Sequence, residues 1–396
     1  MGLILNDLKN ACELEHVCDY VNNRTTSSMN YISTENMLPN KGGISESTII
    51  PPGTTTEYKI GDILISNIRP YFQKIWCADR CGGCSADVLC IRAKENTDSK
   101  YLYYLLSQQA FFDYVMSGAK GCKMPRGDKK QIMQWPVNIP AIDVQKKVVA
   151  ILSSLDNKIR LNRRINENLE QQAQALFKSW FVEKPNPQWT KGSLSDIASF
   201  VGGYSYKGDE LVDSSNTGMA TIKNYNRSGG FKTDGFKAIN PSDKVKNAQY
   251  AELFEILVAH TDLTQNAEVI GNAELVLSLG EYNKIIFSMD LVKVLPSSSF
   301  PYRFLIAAML KNKLFKGHCQ GYVNGTTVLH LNKKALPEYK VMIPTDTEAK
   351  KMNEILGGYY KRMSENLKEN DMLEQLRDTI LPKLMSGELK INDLNC

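Results

Sequence analysis

The chain has 396 residues and a mass of 44.5 kDa, a length that predicts two or three domains at about 150 residues each. Hydrophobic residues make up 42% and charged residues 23%, which excludes a disordered or fibrous chain; the longest apolar stretch, residues 304–310, is far below the roughly 20 residues of a membrane span. A formal charge of +5 excludes a strongly acidic protein and leaves the partner open.

In chain order, residues 1–7 have no basic start and no long apolar core, so they do not read as a secretory signal. Nine cysteines without such a signal point to reduced thiols and a cytoplasmic location. Residues 39–43, rich in Gly and Asn, predict a surface loop. Residues 60–68 and 87–91 are apolar and β-rich and predict strands. Residues 100–116, rich in leucine and aromatics, predict one helix. From 144 to 181 there is no Pro or Gly, and strong helix formers predict a single long helix. Proline cannot continue a helix, so Pro185-Asn186-Pro187 marks its end and a domain boundary. The second half repeats the order: a loop at 224–230, strands at 255–259, 284–287 and 291–295, a helix at 301–315, and a second long helix toward the C-terminus.

This order reflects an internal repeat. With residue i set beside i+204, Ile139-Pro140 falls on Ile343-Pro344, Lys146-Lys147 on Lys350-Lys351, Ile151-Leu152 on Ile355-Leu356, and Leu169-Glu170-Gln171 on Leu373-Glu374-Gln375. Eleven of 43 ungapped positions are identical, where chance gives about two or three. With gaps, Ser85-x-Asp87-Val88 resembles Ser288-x-Asp290-Leu291, and Leu14-x-x-Val17 resembles Leu194-x-x-Ile197. The chain is therefore two copies of one unit, each a variable α+β module followed by a better-preserved helical tail.

In the tails, apolar or small residues recur at spacings of four and three: Val148, Leu152, Leu155, Ile159, then Leu169, Ala173, Leu176, Trp180; and Met352, Leu356, Tyr359, Met363, then Leu373, Ile380, Leu384. A sustained heptad predicts a coiled coil. Asn162 and Asn166 interrupt the first seam, Asn366 and Asn370 the second. If the tails run antiparallel about a pseudo-two-fold axis, Asn162 meets Asn370 and Asn166 meets Asn366, and buried Asn at seam positions fixes register.

Catalytic chemistry is sparse. Cys77-x3-Cys81-x2-Cys84, with Cys90 beyond, has the spacing of an iron–sulfur or zinc site, but the second copy has no cysteines at matching positions, and alternation along a strand buries Cys90 as a small hydrophobe. No phosphate loop or dinucleotide fingerprint occurs, the four histidines are scattered, and the Asn/Asp-Pro-Pro-aromatic motif of amino-methyltransferases is missing. Binding signals are stronger. Residues 120–130 carry a net +4, as do residues 223–246, where Tyr225 and Phe231 are interleaved, and Arg69 and Lys74 flank Tyr71-Phe72. Loop lysines and arginines suit phosphate, while Tyr, Asn and Arg reach base edges.

Several strings carry a family resemblance. Tyr31-Ile32-Ser33-Thr34-Glu35-Asn36-Met37-Leu38-Pro39-Asn40-Lys41-Gly42-Gly43, Gly61-Asp62-Ile63-Leu64-Ile65-Ser66, Asn67-Ile68-Arg69-Pro70-Tyr71, the Gly83-Cys84-Ser85-x-Asp87 turn, Ile139-Pro140 with Gln145-Lys146-Lys147-Val148-Val149-x-Ile151-Leu152, and Leu384-Met385-Ser386-Gly387-Glu388-Leu389 resemble the specificity subunit of type I restriction–modification enzymes. The second copy departs from the pattern at Ala349, where the first has Gln145.

The resemblance implies an α+β fold with two similar target-recognition domains, joined by two long antiparallel helices in a pseudo-two-fold coiled coil: 1–141 the first recognition domain, 142–184 the central helix, 185–344 the second recognition domain, and 345–396 the C-terminal helix. It implies a non-catalytic subunit that reads a split duplex-DNA target and docks two methyltransferase subunits, and motor/nuclease subunits where present. No cofactor is then expected in this chain; S-adenosylmethionine, ATP and Mg belong to the partners. The expected DNA contacts are Lys41, Arg69, Tyr71, Lys74, Lys123 and Arg126 in the first module, and Tyr206, Lys207, Lys223, Asn224, Arg227, Asn324 and Thr326 in the second. Ile165, Phe177 and Phe181 are expected to face the methyltransferase. The alternative is a metal enzyme built on Cys77, Cys81, Cys84 and Cys90.

Overall fold

The computed structural model describes residues 11–389 except 27–28, 46, 48–52, 122, 228 and 265; the expectation for residues 1–7 lies outside the described residues. Two compact units result, Met1–Asn157 with Leu373–Cys396, and Lys158–Met372.

In the first unit, Ile63–Ser66 is buried at every position and lies inside a four-stranded sheet of order Cys18–Tyr20, Val88–Ala93, Ile63–Ser66, Ile75–Cys77, with every pairing antiparallel. A strand covered on both faces reads as an unbroken apolar run. Here Ile63 and Ile65 share one core with Leu89, Ile91, Leu102 and Phe111, while Leu64 and Cys90 face a second core with Tyr58 and Trp76. Val148 and Leu152 of the central helix and Leu381, Leu384 and Met385 of the C-terminal helix complete the first of these cores.

The second unit repeats the order. Ala198–Gly202, Leu291–Pro296, Ile256–Ala259 and Ala273–Leu275 form an antiparallel sheet. The short pair Thr190–Ser193 with Lys340–Ile343 corresponds to Ala11–Glu13 with Pro136–Asn138 in the first unit. A second sheet adds Lys237–Ala238, Thr217–Ala220, Lys284–Phe287 and Tyr250–Ala251, with the middle two strands parallel. The duplication seen in the sequence is thus a duplication of sheet order.

Four sequence expectations change. The helix expected over 100–116 is two, Ser99–Leu106 and Gln109–Ser117, and the one expected over 301–315 is Arg303–Leu310 and Lys313–Gln320. The breaks fall at the same place in each copy because polar side chains compete for the backbone there: Ser107 Oγ donates back to Tyr103 O (2.6 Å), and Asn312 Oδ1 accepts from the amides of Leu314 and Phe315 (2.8 and 3.1 Å). The central helix is α-helical over Ile142–Phe177 and ends in a wider turn, Lys178–Glu183, ahead of Pro185. In the C-terminal helix, Asp346–Ser386, the seam buries Tyr360 (1% exposed) rather than Tyr359, which is half-buried. Gly387, at φ +77°, ends that helix; a left-handed residue at this position favours glycine.

Within the second unit the two helices run antiparallel. Asn162 Nδ2 donates to Asn370 Oδ1 (3.0 Å) and to Glu369 Oε2 (2.8 Å); Asn366 Nδ2 donates to Asn166 Oδ1 (2.7 Å), and Asn166 Nδ2 to Met363 O (3.1 Å). A shift of 204 carries the first pair onto the second, donor onto donor, as a pseudo-dyad requires. Within the first unit the same antiparallel sense joins Arg377 Nη1 to Asp156 Oδ1 at 3.0 Å.

Candidate nucleic-acid interface

In the first unit three loops are stitched together by backbone hydrogen bonds. The loop after Ile63–Ser66 meets the 120–126 loop through Arg69 N to Pro125 O (2.8 Å), and the latter is closed by Lys120 and Arg126, each amide 3.0 Å from the other's carbonyl. It meets the 39–43 loop through Asn40 N to Phe72 O (2.8 Å) and Lys41 N to Gln73 O (3.0 Å). Arg69, Gln73, Asn40 and Lys41 all have φ between +51° and +60°. Non-glycine residues in the left-handed region cost about 1 kcal/mol or more each and persist only where the surroundings hold them, and here each loop holds the other. Arg69, Tyr71, Lys74, Lys123 and Arg126, chosen from the sequence, are therefore brought to one loop cluster.

The cluster presents Tyr71 and Phe72 outward, 48% and 37% exposed, with ring centroids 4.6 Å apart. Lys74 Nζ lies 5.9 Å from the Phe72 ring and donates to Thr34 O at 2.7 Å; burial lowers its pKa from the ordinary lysine value. Arg126 pairs with Asp87 at 3.0 Å, and Lys123 is exposed. Phe72 escaped the sequence-based choice, although its adjacency to Tyr71 was a usable signal.

Lys41 is a correction. Its side chain is only 17% exposed, and Nζ lies 3.7 Å from Asp378 of the C-terminal helix; burial lowers its pKa against the pull of that carboxylate. It anchors the loop rather than standing free on it. Asp378 also pairs with Arg377, which reaches Asp156, and Asp156 accepts from the Tyr104 hydroxyl at 2.6 Å.

In the second unit Lys223 is exposed on the turn Ile222–Asn224. A hairpin follows, closed by the Tyr225–Phe231 bridge, with Arg227 exposed and paired to Glu268 at 3.1 Å. Asn224 is the second correction. It is 0% exposed, its Oδ1 accepts from Thr221 N (2.9 Å) and its Nδ2 donates to Lys232 O (2.7 Å), so the amide builds the turn and reaches no ligand. Asn324 and Thr326 are exposed in the hairpin of Val323–Asn324 with Leu329–Leu331, which pairs onward to Thr261–Asp262. The Asn272 side chain ties the segment after that strand to Asn226 O at 3.2 Å. Tyr206 and Lys207 belong elsewhere in the unit: Tyr206 packs beside Tyr204, Met219, Ile239 and Ile286, and Lys207 N donates to Glu210. Hydrogen bonds from three residues, Tyr204 foremost, then Lys207 and Ser242, hold the Glu210 carboxyl down to about 2.

Phe177 is the third correction. It is 7% exposed, inside the core of the second unit, and stacks on Phe181 at 5.1 Å, so it is spent on packing. Phe181 and Ile165 are half-buried.

The cysteine cluster disperses over the strands. Cys84 and Cys90 are buried, Cys77 is half-buried at a strand end and Cys81 is exposed. Burial pushes the Cys77 thiol up to about 11, and a hydrogen bond with Cys84, then burial, push the Cys90 thiol far up; metals bind the thiolate that both shifts disfavour. Among the described residues no group of three or more His, Cys, Asp or Glu side chains is arranged to hold a metal ion, and no helix is long and apolar enough to cross a membrane.

Comparison with known proteins identifies similarity over most of this length. The model of the type I restriction modification DNA specificity domain matches twice, over residues 10–171 and 186–375. The specificity subunit of the type I restriction enzyme MjaIX of Methanocaldococcus jannaschii is 23% identical over 322 residues, 76% of this chain and 71% of that protein. That of HindI from Haemophilus influenzae is 32% identical over 175 residues, 42% of this chain and 38% of its own. Among solved structures, the S subunit of a type I restriction–modification system from M. genitalium superposes with a TM-score of 0.52 at 16% identity, covering 97% of this chain and 98% of that one.

Proposed function

This chain belongs to the type I restriction–modification DNA specificity family, and we propose that it reads a split duplex target, one half with the loop cluster of each unit. The observation that carries this is the repeated sheet order: each unit sets exposed cationic side chains on loops beside its sheets, Arg69, Lys123 and Arg126 in the first, with the exposed rings of Tyr71 and Phe72, and Lys223 and Arg227 in the second. In the first half-site reader Arg69, Tyr71 and Arg126 reach bases while Lys123 contacts phosphate; in the second, Lys223 and Arg227 act from the hairpin, with Asn324 and Thr326 beside it and Tyr206 and Lys207 as a further contact. Phosphate contacts set affinity and salt dependence, and base contacts set the sequence.

The long helices space the two half-sites, so half-site separation follows from geometry. They also dock two methyltransferase subunits through side chains left outside the helix seam. Leu161 and Met372, 53% and 56% exposed on these helices, support that reading beside Ile165 and Phe181. The chain itself performs no chemistry. S-adenosylmethionine serves the methyltransferase subunits, and ATP with Mg serves motor/nuclease subunits where the system has them. Its place is the cytoplasm, where the DNA is.

Methylome sequencing of the host with and without this gene tests the reading. The expected result is a bipartite adenine-methylated motif present only with the gene; an unchanged methylome, or a continuous motif with no gap, overturns it.

A further inference from the structure

We propose that Glu274 and Lys311 are positioning residues for target reading by the second unit, tying its DNA-reading hairpin to the central helix. The inference rests on the reading of that hairpin as a DNA contact. Glu274 lies on the strand Ala273–Leu275, at the edge of the four-stranded sheet. Its Oε1 accepts the amide of Gly230 at 2.6 Å, at the turn of the hairpin that carries Arg227. Its Oε2 takes the Lys311 ammonium, and Lys311 Nζ lies 3.2 Å from Glu170 Oε2 of the central helix. Lys311 and Glu274 are 7% and 6% exposed and Glu170 is 21% exposed, so the chain of contacts runs almost wholly out of water.

Three features give this chain a positioning role rather than a merely stabilising one. First, Gly229 and Gly230 stand at φ +95° and +99°, a turn that has little backbone preference of its own, so outside hydrogen bonds direct it, the Glu274 carboxylate at Gly230 and the Asn272 amide at Asn226 O. Second, two carboxylates share one ammonium. Burial alone lowers the Lys311 pKa, yet Glu170 and Glu274 raise it above the ordinary lysine value, and the Tyr360 ring lies 5.8 Å from Nζ. Without the ammonium, Glu274 is left buried with no counter-charge, and the Gly230 anchor weakens with it. Third, the first unit solves the same problem with other residues. There the loop residue Lys41 reaches Asp378, Asp378 pairs with Arg377, and Arg377 pairs with Asp156. Asp156 and Tyr360 occupy equivalent positions of the repeat. Each unit therefore has a charged tie from a reading loop to the long helices, close to the same helical position.

The test uses the full chain, alone and in its host. In Lys311→Met, amide exchange of peptides containing Gly230 is expected to rise about tenfold, the loss of one charge-assisted hydrogen bond. The methylome is expected to show one half of the split target becoming degenerate while the other half is unchanged. Lys311→Arg keeps the charge and is expected to restore both readouts. Glu274→Gln keeps the side-chain shape with one acceptor, and is expected to shift both in the direction of Lys311→Met should that variant fold poorly. Unchanged exchange at Gly230 overturns the tie. Equal loss of methylation at all sites with the motif intact, which simple destabilisation produces, overturns the positioning role. A wild-type target that is not split refutes the functional reading instead, and the exchange result still decides the tie.

Discussion

Replacing Asn162 by leucine is expected to destabilise the paired helices, and replacing Asn370 as well is expected to reverse the loss. Asn162 is 0% and Asn370 5% exposed, and the Asn162 amide gives its two protons to Asn370 Oδ1 and Glu369 Oε2. The single change leaves the Asn370 carbonyl buried without its donor, which costs about 1–3 kcal/mol. The double change replaces both partners with apolar groups of similar shape, which is about neutral or stabilising. A coupling energy of about 1–3 kcal/mol is therefore expected from the cycle. Hydrogen exchange in peptides flanking residue 162 measures it, with a rise of about tenfold for each 1.4 kcal/mol lost. The Asn166 and Asn366 pair, related by the pseudo-dyad, is expected to give a coupling of the same sign. Two single-variant costs that simply add would refute the reasoning, because a buried pair cannot lose its partner without cost.

Acid is expected to open the start of the C-terminal helix. Hydrogen bonds from Thr345, then Asn186 and Trp189, hold the Glu348 carboxyl down from 4.5 to about 2. A depressed folded-state value gives stability that is complete above pH 4.5 and drains away as pH falls toward 2; the Trp189 indole N–H resonance, whose proton goes to Glu348 at 2.8 Å, reports it, and Glu348→Gln should lack the transition in that window. The loop lysines of the first unit should separate by salt. Lys123→Ala is expected to reduce the salt slope of DNA binding by the assembled complex by about 1, whereas Lys41→Ala should leave the slope unchanged and cost about 0.5–1 kcal/mol of stability through its lost pair with Asp378. A lower salt slope in Lys41→Ala would return that lysine to the DNA face.

How much was legible follows from what periodicity records. The i+204 repeat, the strand 284–287 and the Asn positions could be read because burial on one seam or in one sheet leaves a regular mark on the sequence. The helix breaks at Ser107 and Asn312 could not, since one polar residue in an apolar helical run reads as a surface position until its hydrogen bonds are known. Tyr359 and Tyr360 are adjacent and identical in type, so a phase shift of one residue leaves no trace in composition. Lys41 and Lys123 are likewise the same residue type in Gly-containing loops; only the proximity of Asp378, 337 positions on from Lys41, tells the anchor from the free charge. Asn224 and Asn324 differ in the same way: one amide closes its own turn and the other is left outside.

The two units show why sheet order outlasts residue identity here. The scaffold needs apolar residues at spacings that many sequences satisfy, so Ile63–Ser66 and Ile256–Ala259 hold the same place with different side chains. The loop anchors need only some charged route from a reading loop to a helix. Gln145 shows the same freedom on a smaller scale: fully buried, it accepts the Asp98 amide and donates to the carbonyls of Asn96 and Pro140. Its counterpart Ala349 makes none of these contacts, and Asn353 instead accepts the amides of Phe304 and Leu305. An exchange of anchoring residues at fixed backbone geometry lets a reading loop change while the helices beneath it keep their pairing. A grafted second-unit loop should therefore work only when the acceptor that replaces Glu274, and the cation that serves it, are carried along with it.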